Sequence, residues 1–102
     1  MDECLREIIK RIVEEVTPDK IILFGSRAKG ETTKWSDYDL CILKKDVKNE
    51  SELTKKIYRK LFGVGASVDV IVETPDKFDH LKDKWFLIYR EIAKFGRVVY
   101  EK

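Results

Sequence analysis

The chain has 102 residues, of which 43% are hydrophobic and 39% are charged, and its net charge at pH 7 is only +2. This composition is typical of one folded domain and not of a disordered segment, and so small a charge does not indicate a nucleic-acid-binding surface. No apolar run reaches the roughly 20 residues of a membrane-spanning helix, residues 1–4 do not resemble a signal peptide, and Cys4 and Cys41 lack metal-ligand spacing. We therefore expect a single domain, residues 1–102, in the reducing cytoplasm and without membrane contact.

Helix and strand patterns alternate along the chain. Apolar residues spaced three and four apart predict amphipathic helices, and short apolar runs bounded by glycine or proline predict strands. In chain order the predicted elements are a helix over 5–16, a strand over 20–24, a short helix over 26–29, a strand over 37–43, a helix from the Asn49 cap to Phe62, a strand over 66–73, a helix after the Thr74 cap, and an edge strand over 97–100. This order predicts an α/β or α+β sheet with helices packed on it.

The last predicted helix lies in an aromatic-rich part of the chain and should end at Gly96. Its apolar face is predicted to comprise Trp85, Ile88, Tyr89, Ile92 and Ala93. The aromatic residues expected in the core are Trp85, Phe86, Tyr89 and Phe95. His80 has no companion at ligand spacing and is expected on a helix surface, whereas Cys41 is expected to be a small buried hydrophobe.

Three aspartates stand in apolar strand segments, where this residue type is depleted: Asp37, Asp39 and Asp69. Asp37 and Asp39 are two residues apart, so their side chains should point to one side of a strand, about 6.5–7 Å apart, while Tyr38 points to the other. Carboxylates this close repel each other unless cations bind, and hard oxygen ligands favour Mg²⁺ or Mn²⁺. With Asp69 on an adjacent strand, the pattern predicts a two-metal site that activates a hydroxyl and steadies a leaving pyrophosphate.

Gly25 and Ser26 stand where a predicted strand passes into a predicted helix. Glycine lets the backbone approach a phosphate, the free N–H groups of a helix start attract the anion, and the Ser26 hydroxyl adds a donor. Arg27 and Lys29 are either further phosphate ligands or solvated surface charges. The spacing from Gly25 to Gly30 mimics a P-loop, but Glu31 occupies the position of the essential lysine, so a P-loop is excluded, as is a dinucleotide-binding G-x-G-x-x-G loop.

These residues together resemble the signature of the DNA polymerase beta-like nucleotidyltransferases: Gly25–Gly30 (GSRAKG), Ser36–Leu40 (SDYDL) and Asp69. The short length and the ending IAKFGRVVY, residues 92–100, resemble the minimal nucleotidyltransferase (MNT) branch of that superfamily, and the likeness covers nearly the whole chain. The resemblance implies a mixed sheet flanked by helices and transfer of a nucleoside monophosphate, usually AMP from ATP, to an acceptor.

The resemblance also implies a role for each site residue. Asp37 and Asp39 would bind both Mg²⁺ ions, and Asp69 would bind the catalytic ion and help to deprotonate the acceptor hydroxyl. Residues that would contact the nucleotide are Gly25, Ser26, Arg27 and Ser36.

The MNT branch further implies a partner protein. Larger relatives carry a second, often helical domain that this chain does not show, and in the MNT branch a separate helical HEPN toxin commonly takes its place. By this resemblance the chain is an antitoxin that adenylylates a tyrosine of that toxin.

Several alternatives stay open from the sequence. The domain is also compatible with a non-catalytic nucleotide-binding antitoxin that neutralises its partner by occlusion, or with an enzyme that modifies a small molecule, for which it would have to form a homo-oligomer. Asp37 and Asp39 also suit a cap or turn at a strand entrance, and Asp69 a strand-edge charge. Trp35 is either an exposed single residue or one that stacks on a base or meets a partner.

Overall fold

The computed structural model describes residues 2–31 and 36–102, so Trp35 and the hypothesis attached to it lie outside the described residues. The elements, in chain order, are α1 (Glu3–Val16), β1 (Lys20–Phe24), α2 (Ser26–Lys29), β2 (Tyr38–Leu43), α3 (Glu50–Leu61), β3 (Val68–Glu73), α4 (Pro75–Leu81), α5 (Ile88–Phe95) and β4 (Arg97–Glu101). Within these ranges no helix has the length and apolar character to cross a membrane.

The four strands form one mixed sheet in the order β3-β2-β1-β4. β1 lies between β2 and β4 and is antiparallel to both, whereas β2 and β3 run parallel. The register places Asp39 directly opposite Phe24 of β1 on one side and opposite Asp69 of β3 on the other. The prediction of an α/β sheet flanked by helices is therefore confirmed, including its parallel and antiparallel pairs.

Helices cover both faces of the sheet unequally. α1 and α3 pack on one face, where the larger hydrophobic cluster contains the fully buried side chains Ile8, Ile12, Leu40, Ile42 and Ile57. α4 and α5 lie on the other face over a smaller cluster that includes Ile22, Phe24, Cys41, Phe78 and Ile92. Because side chains alternate along a strand, Asp39 projects to the same face as the buried Cys41, on the more thinly covered side.

Side-chain caps set the helix starts that the sequence predicts. The Asn49 side chain accepts from the Glu52 N–H at 3.0 Å, and the Thr74 hydroxyl accepts from the Lys77 N–H at 3.3 Å, with Pro75 at the first helical position. Asp2 caps α1 in the same way, accepting from the Leu5 N–H at 2.6 Å. Each such cap stabilises its helix by about 1 kcal/mol.

Two predictions in the second half of the chain are wrong. The single helix after Thr74 is two helices, because residues 82–87 form turns between α4 and α5. The aromatic side chains expected in the core are largely exposed: Trp85 is 77% exposed, Phe86 66% and Phe95 49%, while Tyr89 alone of the four is half-buried. The eight-residue α5 turns only Ile92 fully into the core, so the wide apolar face predicted for it does not form.

Smaller differences concern element ends. Phe62 is the C-cap of α3 and is 88% exposed, because the helix has ended before its side chain turns towards the sheet. β2 begins at Tyr38, one residue after Asp37, and β3 begins at Val68. Cys41 is fully buried and His80 is exposed on α4, as predicted.

Candidate active site

The parallel pairing of β2 and β3 brings the predicted aspartates together at the start of both strands. Asp39 is half-buried, whereas Asp69 opposite it and Asp37 just before β2 are exposed. Desolvation by burial raises the pKa of the Asp39 carboxyl above its ordinary value, and the negative charges of Asp69 and Asp37 and a hydrogen bond with Asp69 raise it further. Asp37 and Asp69 thus both lie close enough to act electrostatically on Asp39, as the sequence pattern requires.

This donor set fits a divalent cation. Neighbouring carboxylates whose negative charges repel each other are hard oxygen ligands of the kind Mg²⁺ prefers. Across residues 2–31 and 36–102, no group of three or more His, Cys, Asp or Glu side chains is arranged to hold a metal ion by itself. Mg²⁺ sites usually bind through one or two carboxylates and complete their shell with water and substrate phosphate. The two-metal assignment of Asp37, Asp39 and Asp69 stays a prediction.

Gly25 packs its backbone against the Asp39 carboxylate. Its φ of 74° and ψ of −156° lie in a region that only glycine adopts freely. A β-carbon at this position would overlap the Oδ2 atom of Asp39. The Gly25 carbonyl accepts from the N–H groups of Ala28 and Lys29 at 3.2 and 3.3 Å, so the turn is continuous with α2. The loop predicted to hold phosphate therefore lies directly beside the central aspartate.

Arg27 connects this loop to the segment that carries Asp37. Its Nε and Nη2 both donate to the carbonyl oxygen of Ser36, at 3.0 and 2.7 Å, and its guanidinium carbon lies 3.8 Å from the centroid of the Tyr38 ring. The Tyr38 hydroxyl in turn donates to the Asp2 carboxylate at 3.1 Å. Burial and the hydrogen bond with Asp2 raise the pKa of Tyr38 to about 12, so this tyrosine stays neutral.

The contacts of Arg27 give it a positioning function that the sequence did not reveal. The backbone carbonyl that it binds immediately precedes Asp37, so Arg27 orients the acidic segment from the phosphate-loop side. Its predicted contact with a nucleotide, like those of Ser26 and Ser36, stays a prediction.

The Lys29 side chain contacts α5. Its Nζ donates to Glu91 at 2.6 Å and lies 5.1 Å from the centroid of the Phe95 ring. The hydrogen bond and the charge of Glu91 raise the pKa of the Lys29 ammonium group. This pairing favours the interpretation of Lys29 as a surface charge, here connecting α2 to α5, over its interpretation as a phosphate ligand.

A buried carboxylate that no sequence pattern indicates lies at the far end of β3. Glu73 is only 3% exposed, and it accepts from the Tyr89 hydroxyl at 2.9 Å and from the Thr74 N–H at 3.1 Å, with Lys77 Nζ 3.6 Å away. Burial, followed by the hydrogen bond to Glu73, raises the pKa of Tyr89 to about 12. Glu73 therefore joins α4 and α5 to the sheet, four positions along β3 from Asp69. Only the proximity of Tyr89, which is remote in sequence, distinguishes it from an ordinary strand-end glutamate.

Comparison with known proteins adds independent information on the family. A family model described as a nucleotidyltransferase domain matches residues 5–95. A relative from Methanocaldococcus jannaschii that bears the name "Putative protein adenylyltransferase" is 37% identical over 82 residues, which are 79% of this chain and 77% of the relative.

Solved structures share the fold. The crystal structure of a protein from Sulfolobus solfataricus, described as a "putative nucleotidyltransferase", matches with a TM-score of 0.69. The identity is 21%, and the match covers 98% of this chain and 79% of that one. A crystal structure of a toxin–antitoxin with AMP-PNP matches with a TM-score of 0.63 and 22% identity, covering 95% of this chain and 73% of that one. A mutant MntA–HpeT toxin–antitoxin gives a TM-score of 0.62 at 20% identity, with the same coverage. These likenesses confirm the fold expected from the sequence motifs.

Proposed function

Because the chain belongs to the nucleotidyltransferase domain family, and is therefore a nucleotidyltransferase, we propose that it transfers AMP from ATP to a hydroxyl group of a partner protein. The observation that carries this proposal is the register pairing of Asp39 with Asp69, with Gly25 packed against Asp39. A phosphate-sized turn and a cluster of carboxylates thereby share one end of the sheet. We further propose Mg²⁺ as the metal and, because both cysteines are free, a reducing cytoplasm as the compartment.

Each side chain has a task in this proposal. Asp37 and Asp39 hold the Mg²⁺ ions, while Gly25 and Ser26 bind the triphosphate of ATP. Bound there, Mg²⁺ supplies Lewis-acid polarisation of the phosphoryl oxygens and neutralises charge on the departing pyrophosphate. Asp69 accepts the proton of the acceptor hydroxyl while the acceptor oxygen bonds to the α-phosphorus and the bond from that phosphorus to pyrophosphate breaks.

The choice of a protein acceptor rests on two comparisons. The relative from Methanocaldococcus jannaschii is named as a protein adenylyltransferase, and two structural neighbours are toxin–antitoxin assemblies. We therefore propose that the acceptor is a tyrosine of a helical HEPN-type toxin and that its adenylylation makes this chain an antitoxin.

A second function, occlusion of the partner without catalysis, has one observation in its favour. Exposed aromatic side chains, Trp85 and Phe86 among them, suit a binding surface that needs no chemistry. An antitoxin of that kind has no use for the Asp39–Asp69 pair, whose mutual repulsion is a cost in the absence of a cation.

The proposal is tested by incubating the purified chain with α-³²P-labelled ATP, Mg²⁺ and a candidate helical partner. Label should appear on the partner with the wild-type chain and fall at least 100-fold with Asp37→Asn/Asp39→Asn. Asp46→Asn is the matched control, because Asp46 is exposed beyond the opposite end of β2 and its positive φ of 60° is one that asparagine tolerates. No transfer with any of the four nucleoside triphosphates despite a stable complex would favour occlusion. Transfer that survives in the double variant would overturn the roles proposed for Asp37 and Asp39.

A further inference from the structure

An exposed apolar surface lies where the turns after α4 lead into α5. We call it the aromatic patch, and it consists of Trp85, Phe86, Ile88 and Phe95. Trp85 is 77% exposed, Phe86 66%, Phe95 49% and Ile88 44%, and together with neighbouring residues they line a groove of about 390 Å³. The Trp85 and Phe86 rings meet edge to face, with centroids 5.8 Å apart, so they present a preformed surface. Contiguous apolar patches of this kind mark interaction sites.

The aromatic patch adjoins the candidate active site. Lys29 lies at the end of α2 and donates to Glu91 at 2.6 Å, and its Nζ is 5.1 Å from the Phe95 ring. α2 begins at Ser26, directly after the Gly25 turn that touches Asp39. Phe95, at the edge of the patch, is thus connected to the phosphate loop through the Lys29 side chain and the four residues of α2, a helix about 6 Å long. A molecule bound to the patch therefore has the aspartates within reach.

Positive charge surrounds the aromatic patch. The Phe95 ring lies under two ammonium groups, with Lys29 Nζ at 5.1 Å and Lys94 Nζ at 5.3 Å. Lys84 and Arg90 are exposed beside it. Among the described residues, the acidic side chains here are Asp83, Glu91 and Glu31. Glu91 is paired with Lys29, and the charge of Glu31 also acts on Lys29, so the cations left without an acidic partner among these described residues are Lys84, Arg90 and Lys94. Two copies of the chain facing each other through this patch would bring like charges together, which disfavours self-association and favours an acidic partner.

We propose that the aromatic patch is the docking surface for the protein acceptor and that the acceptor presents an acidic segment with apolar anchor residues to it. This inference rests on the proposed function, which identifies the bound molecule as the acceptor. Trp85 and Phe86 insert between the apolar anchors, and the exposed cations Lys84, Arg90 and Lys94 pair with the acidic side chains. Large aromatic residues in such positions carry a disproportionate share of binding free energy.

Binding is tested with the full chain and two fluorescein-labelled 16-residue amphipathic helical peptides. Both carry Leu and Phe on one face, and one carries Glu and the other Lys on the opposite face. Fluorescence anisotropy should show the acidic peptide binding at least tenfold more tightly than the basic one, with the difference shrinking as salt rises from 50 to 300 mM. Trp85→Ser/Phe86→Ser should weaken the binding of the acidic peptide at least tenfold. Phe62→Ser is the matched control, because Phe62 is 88% exposed but lies at the end of α3, on the other face of the sheet.

Four results would overturn the inference. Two concern the peptides: equal binding of both, or binding that Trp85→Ser/Phe86→Ser (the patch variant) leaves unchanged. The third is binding of the chain to phosphatidylcholine–phosphatidylglycerol vesicles and not to the acidic peptide. The fourth is concentration-dependent dimerisation of the wild type that the patch variant abolishes.

Transfer kinetics separate this inference from the proposed function. Trp85→Ser/Phe86→Ser should raise the KM for the protein acceptor at least tenfold and leave ATP binding unchanged, whereas Asp37→Asn/Asp39→Asn should keep peptide affinity and lose transfer. If no transfer occurs at all but the peptides behave as expected, the surface stands and the proposed function fails. If transfer occurs with an unchanged KM in the patch variant, the proposed function stands and the docking surface is elsewhere.

Discussion

Asp39 is held where its charge is unfavourable in the absence of a cation. Burial and two neighbouring carboxylates raise its pKa, and the backbone of Gly25 restricts its side chain. Residues kept in unfavourable surroundings are typical of functional sites, because the ligand supplies the compensation that the chain lacks. The same crowding therefore predicts that substitutions at Asp39 and at Gly25 change the stability of the protein measurably.

Asp39→Asn should stabilise the metal-free protein at pH 7 by about 0.5–2 kcal/mol, the range of a single stabilising substitution. Since the folded-state pKa of Asp39 lies above its unfolded value, the carboxylate destabilises the wild type above the folded pKa and ceases to do so as pH falls below it. The advantage of the variant should thus vanish in acid. Urea denaturation in EDTA at a series of pH values measures this. Asp46→Asn, the distant control, should stay within about 0.5 kcal/mol of the wild type at every pH, and an Asp39→Asn variant less stable than the wild type at pH 7 would contradict the prediction.

Gly25→Ala should destabilise the fold by about 1–3 kcal/mol, because alanine at this φ and ψ is strained. Its β-carbon would also displace the Asp39 carboxylate, so AMP transfer should be lost even where the variant is folded. Gly63→Ala is the matched control, since Gly63 has a φ of 82° but no atom within 4 Å of an added β-carbon. Its loss of stability should be smaller and its activity intact, as measured by denaturation and labelled-ATP transfer. Full activity in Gly25→Ala would show that Asp39 tolerates displacement.

At the scale of elements, α2 is a short connector with contacts on two sides. Arg27 joins it to the segment before β2 through the Ser36 carbonyl, and Lys29 joins it to α5 through Glu91. Four residues of helix cannot be stable alone, because helix formation in isolation requires about 12–15 residues. The two tertiary contacts therefore hold the phosphate loop in register with the aspartates.

Arg27→Lys should impair catalysis more than folding. Lysine keeps the charge, but it cannot donate two hydrogen bonds to one carbonyl in the fixed geometry of a guanidinium group while lying over the Tyr38 ring. We expect a loss of about 1 kcal/mol in stability, typical of a hydrogen bond, together with a tenfold or greater fall in kcat for AMP transfer. The KM for the protein acceptor should change little, since Arg27 lies outside the aromatic patch. A fall in stability with unchanged kcat would reduce Arg27 to a purely structural residue.

At the scale of the whole molecule, both faces of the sheet bury neutral groups that ionise at alkaline pH once the chain unfolds: Cys41 and Tyr89 under α4 and α5, and Tyr38 on the side of α1. Burial raises the pKa of Cys41 to about 12, with the charge of Glu73 as a lesser cause, and burial is also the main reason that the pKa values of Tyr38 and Tyr89 rise to about 12. Cys41 and Tyr89 both lie near Glu73, whose negative charge disfavours a second anion. The folded protein therefore keeps these three groups protonated at pH values where the unfolded chain ionises them.

The molecule should lose stability steadily as pH rises from about 9 to 12. In that interval the unfolded chain releases protons from Cys41, Tyr38 and Tyr89 that the folded chain retains, so the free energy of unfolding falls with pH. Cys41→Ala removes one of these groups and should flatten the fall, although loss of volume lowers its stability at pH 7. Urea denaturation under reducing conditions from pH 7 to 11 gives both quantities. Parallel curves for the wild type and Cys41→Ala would show that Cys41 does not contribute.

Local patterns in the sequence determined much of this protein. Several features could be predicted from the sequence because each depends on neighbours within a few residues. They are the helical spacing of α1, the length of β1, the helix caps Asn49 and Thr74, and the aspartates within apolar segments. The same locality explains the errors. A helical spacing was assigned through Trp85, but the turns over residues 82–87 break the helix there, and no local pattern reports whether a facing element covers an aromatic side chain.

Only the tertiary structure decided which distant residues meet. The parallel pairing of β2 with β3 places Asp69 opposite Asp39, the turn at Gly25 places the phosphate loop against the same carboxylate, and the packing of α5 beside α2 places an aromatic patch at the edge of the site. Strand pairing and helix packing depend on the whole sheet finding one arrangement that buries both hydrophobic clusters. The sequence alone therefore determined which chemical groups the site contains, and long-range packing decided how close together they lie.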